Sequence, residues 1–123
     1  MEEKRIVLVV DDDEDLLFIT KILLQESFIV VTATNGRQAI ETFQKTSPDI
    51  VLMDIIMPEM DGIEATKKIL QIKPSAMIIG LTAFAKTRGE RMISAGAIKV
   101  ITKPITKEKL NQVISSVLNF DFK

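Results

Sequence analysis

The chain contains no cysteine and no histidine. The first absence excludes a disulfide, a thiolate nucleophile and a thiolate metal site; the second excludes an imidazole base or ligand. Any metal must therefore sit on oxygen, and any nucleophile must be a carboxylate, a hydroxyl or an amine. Nowhere does an apolar run approach the roughly 20 residues that cross a bilayer, and the opening MEEKR lacks the apolar stretch of a signal peptide. These features point to a cytoplasmic protein with no membrane partner. Nor is there an excess of positive charge. Sixteen Lys and Arg against 17 Asp and Glu leave a net charge of −1, without the broad positive field that non-specific nucleic-acid binding requires, so direct nucleic-acid binding is not expected. No internal repeat, low-complexity tract or linker interrupts the 123 residues, a length that suits one domain over 1–123.

What the chain does have is apolar residues, 46% of the total, gathered into short runs. Residues 6–10, 50–53 and 77–81 are continuous and rich in β-branched side chains, with a weaker run at 29–31 and a fifth at 98–101 that contains Lys99. Continuous runs of this length suit strands covered on both faces, as in a parallel sheet, and the lysine suits an edge strand. Between the runs lie segments with helical spacing. Leu110, Val113, Ile114, Val117 and Leu118 keep one apolar face. Residues 13–26 are apolar on more than one side, while 36–45 and 61–72 present single faces. Residues 86–95 offer only Met92 and Ile93 as large apolar anchors and should form the least firmly held helix. Asn35-Gly36, Ser47-Pro48, Lys73-Pro74 and Ala95-Gly96 fall at the joints. Five strands alternating with five helices, joined by right-handed crossovers, predict an α/β fold: a doubly wound three-layer αβα sandwich. The tail at 119–123 is expected to pack.

In such a sheet ligands collect beyond the carboxyl ends of the strands. The residues that follow the runs are Asp11 and Asp12, Asp54, Thr82, and Thr102-Lys103. Carboxylates brought together on one rim repel one another unless a cation compensates. Oxygen ligands in small number favour Mg²⁺, or Mn²⁺, over a caged Ca²⁺ or a zinc site. Such an ion, with the Lys103 ammonium and the Thr82 hydroxyl, could hold a phosphoryl group against a carboxylate acceptor, for which Asp54 is best placed. Singly, each residue has a plain structural explanation: an acidic helix start, a loop cap, a buried hydroxyl, a strand exit. Independent structural needs have no reason to converge on one rim, and the joint placement carries the reading.

These motifs resemble the receiver family of two-component response regulators, including its single-domain chemotaxis-type and sporulation-type members, over residues 5 to about 118. Val9-Val10-Asp11-Asp12-Asp13-Glu14-Asp15 resembles the family's acidic opening, Met53 through Gly62 its phosphoacceptor segment, Leu81-Thr82-Ala83 its switch hydroxyl motif, and Ala95 through Pro104 its lysine segment. The resemblance implies that Asp54 accepts phosphate. It also implies that Asp12 ligates Mg²⁺ directly, that Asp11 does so largely through water, and that the Ile56 backbone carbonyl completes the protein ligands. Thr82 would hydrogen-bond the phosphoryl group and Lys103 would pair with it. Strand order 2-1-3-4-5 (flavodoxin-like) and a cis peptide before Pro104 are implied as well.

Two features depart from or refine that pattern. Where the family usually carries an aromatic residue, three positions before the lysine, this chain has Val100, so the usual ring rotation cannot operate. Two residues beyond Asp54 and Thr82 stand Ile56 and Phe84, both apolar, which suggests a shielded and long-lived acyl phosphate. With no histidine here, the donor must be external: a sensor histidine kinase, a histidine phosphotransfer protein or a small acyl phosphate. Output to a downstream protein target or a fused output domain is expected to run through the 86–95 helix, the edge strand and the last helix. The reading is of a phosphoacceptor signalling domain, catalysing only its own phosphotransfer and slow dephosphorylation.

Two rivals share much of the rim. A haloacid-dehalogenase-type phosphohydrolase would use Asp11 and Asp13, but lacks a second acidic pair and leaves the 54–62 segment without a purpose. A receiver-like module that is never phosphorylated is suggested by Val100 and opposed by the intact acidic residues, Thr82 and Lys103. An EF-hand at Asp11, Asp13 and Asp15 fails, because Leu16 occupies its glycine position and Ile22 its bidentate glutamate position.

Overall fold

A computed structural model describes residues 4–83 and 85–118. Five strands alternate with five helices: β1 (Arg5–Val10), α1 (Glu14–Leu24), β2 (Phe28–Ala33), α2 (Gly36–Thr46), β3 (Ile50–Asp54), α3 (Gly62–Ile72), β4 (Ile78–Thr82), α4 (Ala85–Ser94), β5 (Lys99–Thr102) and α5 (Lys107–Leu118). All pairings are parallel and the order is β2-β1-β3-β4-β5, which leaves β2 and β5 at the edges.

Residues alternate across the sheet, and both faces are covered. Val7, Val9, Ile50, Leu52, Ile79, Leu81 and Ile101 pack with Leu17, Leu24, Leu110 and Ile114 of α1 and α5. Leu8, Val10, Val51, Met53 and Ile78 pack with Ala39, Phe43, Ile63, Ile69 and Met92 of α2, α3 and α4. Two covered faces explain why the strands read as unbroken apolar runs.

Helix starts are set by side-chain caps. Asp13 accepts from the Asp15 and Leu16 N–H groups, Asn35 from Gln38, and Asp61 from Glu64. Asp13 and Asp61 therefore stand just outside their helices, and α1 and α3 begin one residue later than the apolar spacing predicts. The end of α1 also differs: it stops at Leu24, and residues 25–27 turn into a β2 twice as long as the expected 29–31. Strand β4 begins at Ile78, after a partly exposed Met77, and β3 and β4 each extend one residue to include Asp54 and Thr82. Helix α4 runs one residue earlier than expected at each end, and β5 begins after Ile98, whose N–H still donates to the Ile78 carbonyl.

The doubly apolar α1 resolves into a core side of Leu17, Thr20 and Leu24 and an outer side on which Phe18, Ile19 and Ile22 stand exposed, Phe18 at 65%. In α4, Met92 is fully buried and Ile93 is 47% exposed, so one large side chain anchors residues 89–94. Met92 lies over Gly80: a Cβ on that glycine would stand 2.8 Å from Met92 Cγ and 3.3 Å from Val100 Cγ2. The expected packing of residues 119–123 concerns a segment outside the described residues.

Candidate phosphoacceptor and metal site

The carboxyl ends of β1, β3, β4 and β5 bring the predicted rim together. Asp11 follows β1, its N–H donating to the Ala33 carbonyl at 3.1 Å, and its Oδ1 accepts from the Asp13 N–H at 2.9 Å. One acidic run thus turns the chain at Asp11 and starts α1 at Asp13. Asp54 is the last residue of β3. The chain beyond it is held by the Ile55 N–H donating to the Leu81 carbonyl and by the Gly62 N–H donating to the Ile55 carbonyl at 2.8 Å. Gly62 approaches so closely that a Cβ would collide with the Asp54 carbonyl oxygen. Thr82 ends β4, buried and paired in register with Thr102. Lys103 follows, its N–H donating to the Thr82 carbonyl at 2.8 Å, and a cis peptide precedes Pro104.

Side chains converge above these ends. The Lys103 ammonium stands 3.1 Å from Asp11 Oδ2 and 3.4 Å from Asp54 Oδ1. Carboxylate oxygens of Asp11, Asp12 and Asp54 all lie within 4.8 Å of one another. Asp11 and Asp54 are only 4% and 6% exposed, whereas Asp12 faces solvent. Burial, then repulsion from Asp11, pushes the Asp54 carboxyl up to about 7, although Lys103 pulls it down. Burial by itself would lower the Lys103 ammonium, but Asp54 and Asp11 outweigh it and the net shift is upward. One lysine therefore does not balance the cluster. An oxygen-only donor set with uncompensated negative charge fits a hard divalent cation such as Mg²⁺.

Beside the cluster, Asp12, Asp13, Glu14, Asp15 and Thr34 line an open acidic recess of about 560 Å³. Ile56 follows at the rim with its side chain half exposed. Val100 lies away from the rim, half-buried on β5 opposite Gly80. Phe84 lies outside the described residues. Three contributions were not read from the sequence: the close turn that Gly62 permits behind Asp54, the Asp13 N–H as the brace of Asp11, and Thr34 in the recess. The spacing from Asp13 to the first turn of α1 carries a capping signal. Nothing local marks Thr34.

The chain matches the response regulator receiver domain over residues 7–115. It belongs to the receiver family of response regulators. Among its relatives, the chemotaxis protein CheY of Bacillus subtilis is 41% identical over 116 residues, covering 92% of this chain and 97% of that protein. CheY of Halobacterium salinarum is 40% identical over 114 residues, covering 91% and 95%. The regulatory protein AtoC of Escherichia coli is 36% identical over 91% of this chain, but only 25% of AtoC is covered. Among solved structures, a CheY-like receiver domain protein of Methanospirillum hungatei superposes with a TM-score of 0.90 at 28% identity, covering 95% of each chain. The CheX-CheY-BeF3-Mg complex of Borrelia burgdorferi gives 0.83 at 32% identity, covering 93% and 89%.

This receiver therefore has the CheY-like fold, and phosphorylation of an aspartate is the known role of its family. Receivers are signalling domains rather than classical enzymes, which removes the phosphohydrolase rival. They bind Mg²⁺ at an Asp cluster and interact with histidine kinases and downstream targets. No helix among the described residues is long and apolar enough to cross a membrane.

Proposed function

We propose that Asp54 is the phosphoacceptor of this receiver, and that residues 1–123 act as one receiver domain. The observation that carries the reading is the convergence of Asp11, Asp12, Asp54 and Lys103 at the carboxyl ends of three strands. Asp12 and Asp54 would hold Mg²⁺ directly, with Asp11 largely through water and the Ile56 backbone carbonyl as a further ligand. Bound there, the ion neutralises charge on the transferring phosphoryl oxygens.

An Asp54 carboxylate oxygen attacks phosphorus in line. As the new O–P bond forms, the P–N bond to an external phosphohistidine breaks, and its electron pair returns to the imidazole nitrogen. The donor is a sensor histidine kinase or a histidine phosphotransfer protein. Lys103 pairs with the incoming phosphoryl oxygens, exchanging its contact with Asp54 for one with the new charge, and the Thr82 hydroxyl donates to another. The added negative charge then biases two arrangements of the α4, β5 and α5 surface toward the one that a downstream target or fused output domain binds. The medium is the cytoplasm.

Incubation with acetyl phosphate and Mg²⁺, followed by intact mass, tests the assignment. Wild type should gain one phosphate and Asp54→Asn none. No adduct from any donor would instead favour the unphosphorylated interaction module.

Ile56 and Phe84 tune the lifetime of that adduct, since apolar groups beside the acyl phosphate leave little to orient an attacking water. The half-exposed Ile56 side chain at the rim supports this. Ile56→Asn combined with Phe84→Glu should hasten loss of phosphate, and unchanged decay would sink the idea.

A further inference from the structure

The two edges of the sheet are guarded unequally. An edge strand presents a row of backbone N–H and C=O groups to any strand that approaches, and soluble proteins usually blunt it with shortness, charge or proline. At one edge, β5 is four residues long and carries the exposed Lys99. At the other, β2 runs for six residues, Phe28–Ala33, without a charge, a proline or a glycine. The Asp11 N–H donates to the Ala33 carbonyl. Backbone groups alternate in direction along a strand, so Ile29, Val31 and Ala33 address β1, and the N–H and C=O of Val30 and Thr32 point away from the sheet. Thr34, the next residue of that outward set, is already closed, its N–H donating to Gln38 Oε1 at 2.9 Å. The open stretch of edge is therefore centred on Val31.

That stretch is complementary to itself. A twofold axis normal to the sheet at Val31 sets two copies of β2 antiparallel, with Val30 exchanging backbone hydrogen bonds with Thr32 of the second copy and Val31 opposite its own equivalent. Ile29, 50% exposed in the single chain, then meets Ala33 of the second copy, an apolar cross-strand pair. The same axis keeps each face of the sheet on its own side and so brings the two copies of α1 together. Helix α1 packs on β1 and β2. With strands about 4.8 Å apart, its axis stands about 4.8 Å from the twofold, and the two helices lie about 10 Å apart, the spacing of packed helices. These helices carry Phe18, Ile19 and Ile22, the stripe that the single chain leaves in water. On the opposite face every residue that α2 exposes is polar: Arg37, Gln38, Glu41, Gln44 and Lys45. The apolar contact falls on the α1 side.

We propose that β2 is a self-association edge: two copies of this chain pair β2 with β2, antiparallel about Val31, into one continuous sheet with α1 against α1. One occupant accounts for two separate features, the unguarded edge and the exposed stripe beside it. A strand of a different protein would meet the same backbone groups, but nothing in it would match the stripe with a copy of itself. The pairing is independent of the phosphoacceptor reading, and it sets the two rims at opposite ends of the joined sheet.

Because the chain has no cysteine, a single introduced thiol tests the register. Directly opposed residues of this kind stand about 4.5 Å apart at Cα, inside the roughly 4.4–6.8 Å that a disulfide spans. Val31→Cys should therefore form a disulfide-linked dimer under mild oxidation with copper phenanthroline. Ile29→Cys is the control: its thiol is the more exposed, yet the paired copies hold it about 14 Å from its equivalent. Val31→Cys should cross-link at least about tenfold faster, whereas random collision would favour Ile29→Cys. Sedimentation of the wild-type chain from about 5 to about 500 µM should show the mass rising from 13.8 kDa toward twice that value. Thr32→Pro removes an N–H that faces away from β1 and should leave the fold intact by circular dichroism. It should weaken association at least about tenfold, as should Phe18→Gln with Ile22→Gln. In the separate chain those two side chains stand in water, so their exchange weakens pairing and leaves the fold nearly as stable as before. A wild type that stays monomeric throughout, as it would if the edge served only a strand from another protein, overturns the proposal. So does cross-linking of Ile29→Cys as fast as Val31→Cys, or association that ignores Thr32→Pro.

Discussion

Burial and the neighbouring Asp11 carboxylate hold the Asp54 carboxyl up to about 7, against 3.8 when unperturbed. Between those values the folded chain binds a proton that the unfolded chain has lost. The contribution to stability is therefore fully present below about 3.8 and is lost as pH rises through about 7. Asparagine resembles the neutral form at every pH. Asp54→Asn should consequently be more stable than wild type at pH 8 without metal, by on the order of 1–2 kcal/mol, with the gap closing toward pH 4. Urea midpoints of the two chains at both pH values measure this, and an equal gap at both would refute the raised carboxyl. Gly62 is the second residue whose role is steric. A Cβ would meet the Asp54 carbonyl oxygen and stand 2.9 Å from Ile55 Cα. Gly62→Ala should destabilise by roughly 1–3 kcal/mol, the usual range for overpacking, as a denaturant midpoint can establish.

Helix α4 combines poor intrinsic propensity with slight anchoring. Gly89 sits in its middle, where glycine costs about 1 kcal/mol relative to alanine, and Met92 is the one large side chain that residues 89–94 bury. Its amide protons should exchange at lower opening free energies than those of α3, which buries Ile63, Ala65, Thr66 and Ile69. Protection in α4 equal to that in α3 would contradict the weak anchoring on which the proposed repacking of the α4, β5 and α5 surface depends. This weakness was legible in sequence because 86–95 offers so few apolar residues. The outer face of α1 was not. Periodicity cannot orient a helix that is apolar on more than one side, and only the packing of Leu17, Thr20 and Leu24 shows that Phe18, Ile19 and Ile22 point outward. Replacing Phe18 and Ile22 by Gln should change stability by less than about 0.5 kcal/mol each, measured by chemical denaturation.

At the scale of the whole molecule, the sheet and its rim were legible for one reason: buried parallel strands leave continuous apolar runs, and each run ends where ligands collect. The contacts behind the rim were not, because the turn permitted by Gly62 and the double pairing of Lys103 depend on chain segments meeting in three dimensions. That same dispersal makes metal binding a test of the assembled fold. Asp11 and Asp12 follow β1 and Asp54 ends β3, yet their oxygens come within 4.8 Å. The unfolded chain has no such cluster, so the free energy of binding Mg²⁺ becomes free energy of folding. At free Mg²⁺ about 100 times its Kd, the folded chain should gain about 2.7 kcal/mol, with a rise in Tm of several degrees. Asp12→Asn should lose most of that rise if Asp12 supplies a ligand oxygen as proposed, since its exposed side chain contributes little to packing. Thermal melts at neutral pH, with EDTA and then with increasing MgCl2, read both chains directly. A wild-type midpoint that ignores Mg²⁺, or one that rises equally in Asp12→Asn, would remove the ion from this cluster.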